Sequence, residues 1–129
     1  MDRNIARDVL LRIDKIKVGE SILIEDLKSE FPAVELDDFL TIICKFAIRY
    51  YIRIDGKFSH DCHTIERYNK IIGLDREGME VVDYIRNQKI WNKLEKCLSE
   101  NGYEDFSIFN SVELAKEIIK KEFEALLSN

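Results

Sequence analysis

The stretch VELDDFLTIICKFAIRYYIRIDGKF, residues 34–58, changes its hydrophobic period in mid-course, and that change limits the fold more than any other feature. Through Leu36, Phe39, Leu40, Ile43, Phe46, Ala47 and Tyr50 the apolar residues recur at helical spacing and leave a narrow polar stripe of Asp37, Asp38, Thr41, Lys45 and Arg49. A helix so enclosed has neighbours on most sides. Tyr51, Arg53 and Asp55 then alternate with Ile52 and Ile54, a strand signal, and Asp55-Gly56 is a turn dipeptide that suits a hairpin. After SHDCHT, which reads as loop, ERYNKIIGL supplies a returning strand that ends near Gly73.

Upstream, Ile5, Val9, Ile13 and Ile16, with Ala6 and Leu10, form the stripe of a first helix, and Gly19 weakens its continuation. Ile22 and Ile24 make a short β-branched patch. A brief helix around Glu25–Phe31 follows, stopped by Pro32, which forces the residue before it out of helical geometry. The order helix, short strand, helix, turn, helix, hairpin is that of a winged helix-turn-helix. The expected fold is therefore α+β and mostly α: a winged body with a β-hairpin wing over residues 1–74, followed by a C-terminal helical extension over 75–129, packed as one compact unit.

Three helices are expected in that extension. Asp75 is a suitable N-cap for the first, whose face is Met79, Val81, Val82 and Ile85. Asn87 and Gln88 interrupt, and Ile90, Trp91, Leu94, Cys97 and Leu98 restart the stripe until Asn101-Gly102. In the last helix Ile108, Val112, Ala115, Ile119, Phe123 and Leu126 share a face. The chain's single tryptophan, Trp91, reads as the peg that seats the second of these helices.

The run around that tryptophan resembles a family of small uncharacterised proteins of bacteria and their phages, with a winged-helix-like body and a diagnostic LTxEGxxFLDxIRxDxxWxK segment. Leu74, Glu77, Gly78, Asp83, Ile85, Arg86, Trp91 and Lys93 match it; Asp75 stands in place of Thr, Val81 and Val82 in place of Phe-Leu, and Gln88 in place of Asp. The agreement extends over residues 74–93. It implies the winged-helix fold and, by analogy of fold, a transcriptional regulator.

The charge distribution points to where such a regulator would touch DNA. The net charge of −5 argues against indiscriminate nucleic-acid binding. Residues 1–44 carry six basic and ten acidic side chains, yet residues 45–76 carry seven basic and four acidic. On the DNA reading, Lys45, Arg49, Arg53, Lys57, Arg67 and Lys70 meet phosphates, and Thr41 on the third helix offers the base contact. Glu35, Asp37 and Asp38 at the start of that helix oppose it, because base contacts come from the N-terminal part of a recognition helix. The alternative is a protein-interaction or adaptor module, with a homodimer through the C-terminal helices as one form of it.

Other chemistries find less support. His60, Cys62 and His63 are zinc-ligand types, but their spacing is not that of a finger, and a polar wing loop is the better reading. GxSxG, a Gly-rich phosphate loop and HExxH are all absent from the sequence, so a non-catalytic protein without a cofactor is expected. Cys44, Cys62 and Cys97 are widely spaced, as reduced thiols of a cytoplasmic protein would be. The most apolar stretch, FLTIICKFAIRYYI, is 14 residues long and holds Lys45 and Arg49, too short and too charged to span a bilayer.

Overall fold

The structure is a computed structural model that describes residues 3–56, 65–100, 117–118, 120–121 and 124–125. It is α+β and mostly helical, with one small antiparallel sheet. The elements run α1 (Arg3–Asp14), β1 (Ile22–Leu23), α2 (Ile24–Ser29), α3 (Leu36–Ile48), β2 (Ile52–Asp55), β3 (Lys70–Leu74), α4 (Arg76–Ile85) and α5 (Gln88–Glu100). The chain divides into two compact units, Val9–Met79 and, joined from both ends, Met1–Asp8 with Glu80–Asn129. Of the helix expected after residue 105, the described residues 117–118, 120–121 and 124–125 are helical; its other residues and the cap at Asn101-Gly102 lie outside the described residues.

In the unit Val9–Met79 the core is centred on α3. Phe39, Ile42, Ile43 and Phe46 are fully buried there, as are Ile24 and Leu27 of α2, Leu10 and Ile13 of α1, and Ile71 of β3. Each such side chain contributes about 1.5–3 kcal/mol by leaving water. The strand order is β1-β3-β2, with Ile22 opposite Ile71 on one side of β3 and Asp55 opposite Lys70 on the other. The strands expected on either side of Asp55-Gly56 do pair, but β3 resumes only at Lys70, so a longer connection replaces a tight turn. A bulge between Arg53 and Ile54 shifts the register.

The short α2 begins one residue earlier than its pattern suggests, and its N-cap, Leu23, has no side chain able to cap. Backbone carbonyls take over that task. Asn69 O accepts from Ile24 N–H at 2.9 Å and Arg67 O from Glu25 N–H at 3.0 Å, satisfying donors that a helix start leaves open.

Where α3 ends, the sequence reading and the structure differ. The helical period sets Tyr50 among the apolar residues of the helix, and the strand alternation sets Tyr51 on the side of Arg53 and Asp55. Instead Tyr50 is half exposed at φ 61°, and Tyr51 is buried with its ring 5.9 Å from Phe46. Tyr51 N–H bonds to Phe46 O at 2.8 Å and Tyr50 N–H to Ala47 O at 3.1 Å. These two bonds and the apolar contact form a Schellman motif, with tyrosine at the left-handed position. The reversal turns Tyr51 inward and sends β2 back along the core.

A second difference concerns α4. Met79 was expected on the buried face, but it is 54% exposed, and the buried stripe runs through Gly78, Val81, Val82 and Ile85. A Cβ at residue 78 would overlap the carbonyl of Tyr51. That carbonyl also accepts Asp75 N–H at 2.9 Å. The close approach of two backbones requires glycine, which takes the stripe position that Met79 would otherwise fill.

In the other unit Trp91 is fully buried. Its Nε1–H donates to Asn4 Oδ1 at 2.8 Å, and the guanidinium carbon of Arg7 lies 5.3 Å from its ring centroid. Arg7 also donates from Nε to Ile85 O at 2.9 Å and from Nη2 to Arg86 O at 3.4 Å, thereby closing the C-terminal end of α4. Asn87 caps α5: its Oδ1 accepts from Lys89 N–H at 2.9 Å and from Ile90 N–H at 3.2 Å. The polar interruption between the two stripes is thus the start of a helix.

Candidate functional site

The residues expected to touch DNA fall on three separate parts of the unit Val9–Met79. Thr41 and Lys45 of α3 and Arg49 at its C-cap follow one another at four-residue steps, along one stripe. Thr41 and Arg49 are exposed and Lys45 is half-buried. The Thr41 hydroxyl donates to Asp37 O at 2.8 Å, a bond to its own helix that turns the proton away from any outside acceptor. One step before Thr41 on the same stripe stands Asp37, exposed beside Asp38. The stripe therefore passes from acidic to basic along α3, which is also what the helix dipole favours.

Arg53 and Lys70 stand at opposite ends of the β2–β3 ladder. Arg53 faces Gly73 and Lys70 faces Asp55. An opposite charge directly across the ladder from Lys70 offsets much of its field. Arg67 sits in the turn over residues 66–69, exposed, with its Nη2 donating to the Tyr68 hydroxyl at 2.7 Å and its guanidinium 4.9 Å from the Tyr68 ring centroid. That hydrogen bond, then electrostatic interaction with Tyr68 and with Glu25, raises the Arg67 pKa above its ordinary value. Lys57 lies outside the described residues, as do His60, Cys62 and His63. Among the described residues no three His, Cys, Asp or Glu side chains converge as metal ligands. Cys44 is a buried thiol and Cys97 a half-buried one.

Carboxylates dominate the helices that would face a groove. On α2 and α3, and at Glu30 and Glu35 beside them, the exposed acids are Glu25, Asp26, Glu30, Glu35, Asp37 and Asp38. Of these Glu30 is bound by Arg12, whose Nε donates at 2.8 Å. Lys28 is half-buried on the same surface. The sequence pattern showed the three acids at the start of α3; that α2 adds its own was legible only once the two helices were placed in one unit.

A feature that the sequence pattern does not announce lies beside β3. The connector after α1 and the last residues of β3 enclose a groove of about 340 Å³, lined by Ile16, Val18, Ile72, Leu74 and Met79, with Asp14, Lys17 and Arg53 among its charged neighbours. Val18 is wholly exposed at its rim. No helix among the described residues is long and apolar enough to cross a membrane. No protein-family model, curated protein or solved structure matches the chain.

Proposed function

We propose that Val9–Met79 is a winged helix-turn-helix body, non-catalytic, that recognises a protein rather than reading duplex DNA through α3. The winged-helix reading is supported by the element order α1-β1-α2-α3-β2-β3 and by the antiparallel sheet β1-β3-β2. The observation that carries the choice of partner is the start of α3. Glu35, Asp37 and Asp38 are exposed where a recognition helix presents its base-reading side chains. Duplex DNA carries a negative charge about every 1.7 Å along its axis, and each carboxylate brought into its groove loses hydration without gaining a cation. A protein surface has no such constraint and can supply Lys or Arg to those acids.

The second reading, a DNA-binding regulator, is favoured by the exposed cations Arg53, Arg67 and Lys70 of the sheet and its connection. Titration of a labelled random duplex at low salt, followed by fluorescence anisotropy, separates the two. The protein reading expects no binding at micromolar protein. Binding that weakens steeply with salt and falls in Arg53→Ala would replace it with DNA contact through the hairpin.

A further inference from the structure

We draw no further inference here: the strongest candidate, the cleft of about 260 Å³ that Tyr50 forms with Asp75, Arg76 and Glu77 at the start of α4, rests on a helix N-terminus and two acidic side chains alone, and nothing among the described residues shows what would occupy it.

Discussion

α3 stops by means of its own backbone, whereas α4 stops against a side chain that lies 78 positions earlier in the chain. At the end of α3 the residues that close the helix are consecutive: Tyr50 and Tyr51 return their N–H groups to Ala47 and Phe46, and the Tyr51 ring lies on Phe46. At the end of α4 the guanidinium of Arg7 takes the carbonyls of Ile85 and Arg86, and the same group rests over Trp91. The first ending forms as soon as the local segment does. The second exists only after residues 4–8 and 80–91 have met, so it makes a helix end depend on tertiary packing. One chain thus uses a local device where its sheet must start and a remote one where its two ends are joined.

The sharpest way to break the contrast is to remove the floor under Arg7. Trp91→Ala empties a fully buried aromatic site and should cost about 3–5 kcal/mol in denaturant unfolding. If the cost were under about 1 kcal/mol, Trp91 would not be the anchor of its unit. Arg7→Met retains an apolar stem over the ring but removes the donors. It should cost about 1–2 kcal/mol, from charge-assisted hydrogen bonds and a cation–π contact. Amide exchange should quicken in the last turn of α4 and stay unchanged in α3. Equal quickening in both helices would erase the distinction between them. The smallest effect tests the local ending: Tyr50→Gly puts the favoured residue at φ 61° and should stabilise by about 1 kcal/mol, read as a raised unfolding midpoint. Loss of stability instead would mean that the Tyr50 side chain, and not the backbone alone, holds the end of α3.

The same contrast explains what could be read from the sequence. The enclosed α3 and the switch to β2 rest on neighbouring residues. The stripe Thr41–Lys45–Arg49 is likewise a matter of helical spacing. At the start of α4 Asp75 Oδ1 accepts from Arg76 N–H, the adjacent residue, at 2.8 Å, whereas a capping side chain accepts from the second or third residue of the helix. Tyr50 and Tyr51 were exchanged because nothing in a Tyr-Tyr pair announces a left-handed residue, which glycine or asparagine would have done. Met79 was assigned to the core because Gly78 has no side chain to show that its position is the closer one. Asn87 looked like a break, since its role depends on the helix that follows it. The separation of Arg53 from Lys70 along the ladder, and the groove beside β3, depend on strand register and on pairing between distant segments. No local period encodes those.

Trp91 is the chain's only tryptophan, and its indole is shut away from water inside the unit formed by Met1–Asp8 and Glu80–Asn129. Excited selectively at long wavelength, its emission should be blue-shifted in the native state and move to the red on exposure. The optical signal therefore belongs to that unit alone, while Tyr50, Tyr51 and Tyr68 stand in the other. An unfolding curve followed by indole emission and one followed by far-ultraviolet dichroism, laid over each other, tell whether the chain melts as one body or as two.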